Sequence, residues 1–85
     1  MYKITKITTL DGSPRTDGRY PLRIGCIGKY DLMEVGYPLV FAYYLDADGN
    51  EKQGTLQTST VVKIAHEARH IEITTRNSIY TLVLV

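Results

Sequence analysis

Two sets of residues in this chain have types and spacings that could do chemistry. The first is His66-Glu67-Ala68-Arg69-His70, a His-Glu-x-x-His pentad. On a helix, residues four apart share a face, so His66 and His70 could hold a zinc ion. Glu67 would then act as general base on the metal-bound water, and the chemistry would be hydrolysis. The second set is a group of arginines and tyrosines. Seven tyrosines occur in 85 residues, and tyrosine gives a large contact area at low entropic cost, as binding surfaces need. Arg15 and Arg19 in the basic stretch 12–29, with Tyr30 and Tyr37 at the turns of 30–37, are expected to form one patch. Tyr43 and Tyr44 complete the candidate binding residues. As neighbours on a strand they point to opposite faces, so at least one is expected to be exposed.

The pentad resembles the zinc helix of zincin metalloproteases over these five residues alone. That family carries a bulky apolar residue after the glutamate, where this chain has Ala68. It carries an uncharged residue before the second histidine, where this chain has Arg69. A catalytic zinc also needs a third protein ligand. After His70 only Glu72 offers a carboxylate, and it is too near along a strand to close the same site. Residues 66–70 therefore read as a solvated turn carrying two histidines, and the chain reads as a non-enzyme with no catalytic residue, metal or cofactor. Asp46-Ala47-Asp48-Gly49-Asn50 hints at a calcium loop but lacks the twelve-residue span and its terminal glutamate. A hairpin turn with Gly49 left-handed explains it.

The remaining composition bounds the fold. Residues 1–85 make one small domain, near the lower limit of what one core can stabilise. The single cysteine, Cys26, forms no intrachain disulfide and reads as core. No leader and no long apolar run is evident, so a cytoplasmic protein without membrane contact is expected. Net charge is +1, but it is unevenly spread. Residues 1–29 carry +4, through Lys3, Lys6, Arg15, Arg19, Arg23 and Lys29 against Asp11 and Asp17. Residues 30–51 carry −5, through Asp31, Glu34, Asp46, Asp48 and Glu51.

The elements follow from pattern. Tyr2 and Ile4 are out of phase with Ile7, which predicts a strand over 2–10 with a bulge near Thr5 and Lys6. Residues 11–19 are rich in turn formers and predict a loop. Tyr20, Leu22, Ile24 and Cys26 alternate as a half-buried strand would, and Gly25 and Gly28 predict a bend or close backbone contact. Leu32 and Val35 suggest a single helical turn ended by Gly36. Residues 39–45 and 51–58 predict a hairpin, in which Leu56 faces Val40 across a three-residue loop or Phe41 across a four-residue loop. Residues 59–65 fit either strand or helix, and their β-branched residues favour a strand. Finally, a turn at Asn77-Ser78 would pair Thr75 with Tyr80 and Ile73 with Leu82. It would place Ile71, Ile73, Thr75, Tyr80, Leu82 and Leu84 on one face. The whole reads as an all-β protein: an SH3-like barrel of five or six antiparallel strands, with an OB-like barrel as the alternative.

The pattern Gly54-x-Leu56-x-Thr58-Ser59-x-Val61-x-x-Ile64, then Ile71-x-Ile73-x-Thr75-x-Asn77-Ser78-x-Tyr80-x-Leu82, resembles short uncharacterised proteins of Gram-positive bacteria and their phages or mobile elements. Weaker echoes lie in Gly25-x-Ile27-Gly28 and Leu32-x-x-Val35-Gly36. The resemblance implies a bacterial or phage protein that acts by binding, and it assigns no activity and no site residue. The leading expectation is thus a non-enzymatic module with a protein partner. A second copy of the chain is a further candidate partner, since strand edges and Val83-Leu84-Val85 need cover. Single-stranded nucleic acid is the alternative, disfavoured by the acidic middle.

Overall fold

The hairpin at the end of the chain shows how sequence becomes register. A computed structural model describes residues 1–85. In it, β5 (His70–Thr75) and β6 (Ile79–Leu84) pair Ile73 with Tyr80 and Ile71 with Leu82, two residues from the predicted register. The turn explains the difference. The Thr75 hydroxyl accepts from the N–H groups of Ser78 (3.1 Å) and Asn77 (3.3 Å) and donates to the Ser78 carbonyl (3.1 Å). That centres the two-residue turn on Arg76-Asn77. A shift of two leaves the strand faces unchanged. Ile71, Ile73, Thr75, Tyr80 and Leu82 are accordingly buried, and only Leu84, near the strand end, is exposed.

Four more strands complete a closed, all-neighbour antiparallel barrel. They are β1 (Tyr2–Thr8), β2 (Ile27–Leu32), β3 (Pro38–Leu45) and β4 (Thr55–Glu67), and β6 returns to pair with β1. The bulge in β1 falls between Ile4 and Lys6, as the broken phase predicts, and turns Ile4 and Ile7 both inward. β4 is 13 residues long. Its first half pairs with β3 and its second with β5, and register shifts on either side of its middle mark the handover. Residues 59–65 are therefore strand. Between β3 and β4 each predicted register holds at one end. Asp46 and Asn50 close a three-residue loop at the tip, with Gly49 at φ +84°, while Phe41 faces Leu56 in the sheet. The irregular backbone at 52–54 absorbs the extra residue. The core is formed by Ile4, Ile7, Leu39, Phe41, Leu56, Val61, Ile71, Ile73, Tyr80 and Leu82. Gly28 sits where β2 crosses β3 so closely that a Cβ would lie 1.9 Å from the Ala42 carbonyl oxygen.

Three local expectations need correction. Residues 20–26 are not a strand: Tyr20–Arg23 form the only helical turn, α1. The N–H groups of Tyr20, Leu22, Ile24 and Cys26 each reach a carbonyl three residues back. Pro21, with its fixed φ, suits the start of such a turn, and Gly25 at φ +88° ends it. Residues 32–35 form no helical turn. β2 runs to Leu32, and a turn from Glu34 to Tyr37 follows, with Gly36 at φ +96°. Tyr30 is therefore within β2 and not at a turn. The His66–His70 segment is a tight β4–β5 hairpin with Glu67 opposite His70 and Ala68 strained at φ +40°. Successive strand residues face opposite ways, so His66 and His70 do not present two nitrogens to one ion. His70 instead meets Glu67 at 3.5 Å. No helix is long and apolar enough to cross a membrane.

Candidate functional site

The loop 9–19 folds back on β1 and delivers Arg15 and α1 to one end of the barrel. Ser13 and Arg15 bond the backbone of Thr9 and Ile7, and the Asp11 carboxylate accepts from the Ser13 N–H and the Thr9 hydroxyl. These bonds hold the Asp11 carboxyl below its usual range, the Thr9 hydroxyl first among them. Arg15 spends four of its five N–H donors within the protein. It forks onto Asp17 (2.7 and 3.1 Å) and donates to the Asn77 carbonyl (2.8 Å) and the Ser78 hydroxyl (3.1 Å). The Arg15 bond lowers the Asp17 pKa in turn. The Arg15 guanidinium also lies 4.2 Å from the centre of the Tyr20 ring.

The same ring carries a second cation. Arg23, at the end of α1, lies 4.7 Å from the Tyr20 centroid and donates one bond, 2.9 Å, to the hydroxyl of the buried Tyr80. Beyond Arg23 opens a cleft of about 390 Å³. Its cations are Arg19, Arg23 and Lys52; its neutral donors are Tyr43, Thr55 and Gln57; its apolar wall is Leu22 and Leu56. The ammonium of Lys52 sits 4.9 Å from the Tyr43 ring centre, a cation–π arrangement. Burial pushes the Tyr43 hydroxyl up to about 12, against the opposing pull of Arg23, so it is a neutral donor. Burial raises the Tyr80 hydroxyl as well.

No carboxylate lines this cleft, and none of its three cations is in an ion pair. Of all its side-chain donors, only Arg23 Nη1 makes a hydrogen bond within the protein. Cations with free donors around a concave surface can bind and orient an anion. A shallower ledge of about 550 Å³ shares Tyr43 and Lys52 and adds Met1, Tyr44, Leu45, Glu51 and Gln53.

The six predicted site residues are dispersed. Arg19 and Tyr43 line the cleft, and Tyr44, 41% exposed, borders the ledge. Tyr43 and Tyr44 do face opposite ways, one half-buried and one exposed. Arg15 stands behind Tyr20, bound to the protein. Tyr30 is half-buried and packs on Tyr2 at 5.5 Å between ring centres. Tyr37 is 53% exposed, but it precedes β3, about 20 Å from Tyr43 at a strand rise near 3.3 Å per residue. There its carbonyl accepts from the Val61 N–H, and the adjoining Val35 and Val62 are exposed as well. Two of the three cleft cations, Arg23 and Lys52, are not among the six. Arg19 and Arg23 are four apart, the spacing of one helical face, but that signal is hidden while 20–26 is read as strand. Lys52 comes in only through closure of the β3–β4 hairpin. The thiol of Cys26 is buried and its pKa is pushed up by that burial, which suits a core role.

No protein-family model, no curated protein and no solved structure matches this chain.

Proposed function

We propose that this chain is a non-enzymatic binding module of the small SH3-like type whose partner is a protein, engaged through the cleft beside α1. The observation that carries the reading is the convergence of Arg19, Arg23 and Lys52 on one cleft with no carboxylate and almost no internal hydrogen bonding. Such a surface is poised for an acidic or anionic feature on a partner, and Tyr44 and Leu22 extend it with apolar contact area. Origin in a Gram-positive bacterium or its phage, and work in the cytoplasm, belong to the same proposal. They lead to the choice of lysate.

A protein partner is favoured over single-stranded nucleic acid by the state of the aromatics. Stacking platforms need open ring faces. Here Tyr20 and Tyr43, the rings nearest the cleft, already carry the cations of Arg15, Arg23 and Lys52. The test is capture from a nuclease-treated Gram-positive lysate by the wild-type chain and by an Arg19→Glu/Lys52→Glu variant. A stoichiometric protein held by the wild type and lost by the variant is the expected result. Capture that vanishes with nuclease, or is indifferent to the charge reversal, would reject the reading.

A further inference from the structure

We infer that the cleft recognises a phosphate monoester carried on a side chain of the partner, an inference that rests on the binding-module reading above. The number and kind of donors are the argument. A monocarboxylate offers two oxygens and one charge, which one guanidinium satisfies by a fork. This cleft brings two guanidinium groups and an ammonium together, with a phenol, a hydroxyl and an amide around them. A phosphate monoester supplies nearly two charges and three strong acceptor oxygens, and matches that set. Arg23 is also preorganised. One of its nitrogens is fixed by Tyr80 and its guanidinium carbon lies over the Tyr20 ring, leaving its other N–H groups without a protein acceptor. Preorganised donors lose less freedom on binding. At about 390 Å³ the cleft exceeds a phosphate group, leaving room for the side chain that bears it. Leu22, 72% exposed on α1, offers that side chain an apolar rim.

The ionisable groups around the cleft are Arg19, Arg23, Lys52 and Tyr43, with Tyr80 behind Arg23 and Glu51 and the Met1 amino group on the adjoining ledge. No histidine is among them. A change in affinity between pH 5.5 and 7.5 that phenyl phosphate shows and a carboxylate probe does not would therefore report the second ionisation of the phosphate, near pH 6.

The test is calorimetric titration of the full chain with phenyl phosphate and with benzoate at matched ionic strength. Phenyl phosphate is expected to bind about ten-fold or more tightly than benzoate at pH 7.5, and to lose about ten-fold in an Arg19→Ala/Lys52→Ala variant of unchanged circular dichroism. Its affinity should weaken toward pH 5.5 while that of benzoate holds. Equal affinities for the two probes, or a flat pH profile for phenyl phosphate, would overturn the inference. So would tighter binding of a short oligothymidylate than of phenyl phosphate, which would make the cleft a nucleic-acid site. Phenyl phosphate that fails to bind, while protein capture is still lost on charge reversal, would overturn this inference and leave the binding module standing. Capture unaffected by charge reversal would remove the reading beneath it.

Discussion

Arg15 and Arg23 lie against the same tyrosine ring and have opposite situations. Arg15 makes four hydrogen bonds to Asp17, Asn77 and Ser78, tying the loop 9–19 to the β5–β6 turn. Arg23 makes one bond, to Tyr80, and turns toward a cleft where Arg19 and Lys52 have no acidic partner. The difference teaches how to sort cations on a small barrel. An arginine with four of its five N–H donors taken by the protein is part of the frame. A group of cations with free donors and no carboxylate among them is a surface prepared for something else. The two kinds meet at Tyr20, whose ring lies 4.2 Å from the Arg15 guanidinium and 4.7 Å from that of Arg23, while Arg23 is held independently by Tyr80.

The largest effect should come from the turn on which Arg15 rests. Thr75→Val removes a buried hydroxyl that serves the N–H groups of Asn77 and Ser78, and should cost about 1–3 kcal/mol in urea unfolding. Next, Arg15→Ala should lower Tm more than Arg19→Ala or Lys52→Ala does, while leaving anion binding in place. If Arg15→Ala abolished binding without changing Tm, the sorting above would be reversed. Arg19→Ala and Lys52→Ala should leave stability within about 0.5 kcal/mol, as surface changes usually do, and each should weaken binding.

The two sides should also part with pH. The Asp17 pKa is lowered by Arg15, so the stability from that pair is present above the unfolded aspartate value, near 3.9, and is lost as pH falls below it. Phosphate binding should fade already near pH 6. At the alkaline end Tyr43 is raised to about 12, so above pH 10 the unfolded chain releases its proton first. Stability should therefore decline between about pH 10 and 12, with the phenolate absorbance of Tyr43 appearing late. The smallest effect lies away from both sides. Ala68→Gly in the β4–β5 hairpin should relieve a left-handed residue and raise stability by about 0.5–1 kcal/mol, with binding unchanged.

Much of the frame was legible in the sequence because strand faces depend only on parity. The Thr75 side chain moved the last turn by one residue, and every inward residue but the terminal Leu84 stayed inward. The β1 bulge was legible for the same reason. The β3–β4 loop was half legible: its glycine and aspartates set the tip, but nothing marked where the extra residue near Gly54 would be absorbed. The cleft was mostly hidden. Tyr20, Leu22, Ile24 and Cys26 alternate like a strand, yet the segment winds through overlapping three-residue turns that leave Leu22 outward. Read as a strand, that segment sets Arg19 and Arg23 apart from each other and from Lys52. Only the β2–β3 pairing and the closure of the β3–β4 hairpin bring residue 52 to residues 19 and 23.

The most direct measurement is a map of backbone amide shifts in isotope-labelled protein as phenyl phosphate is added. Saturable shifts are expected in residues 19–23, 43 and 52–57 alone, with Arg15, Asn77 and Ser78 following only slightly. Shifts centred instead on Val35, Tyr37 and Val62, or on the Arg15 side of Tyr20, would contradict that expectation.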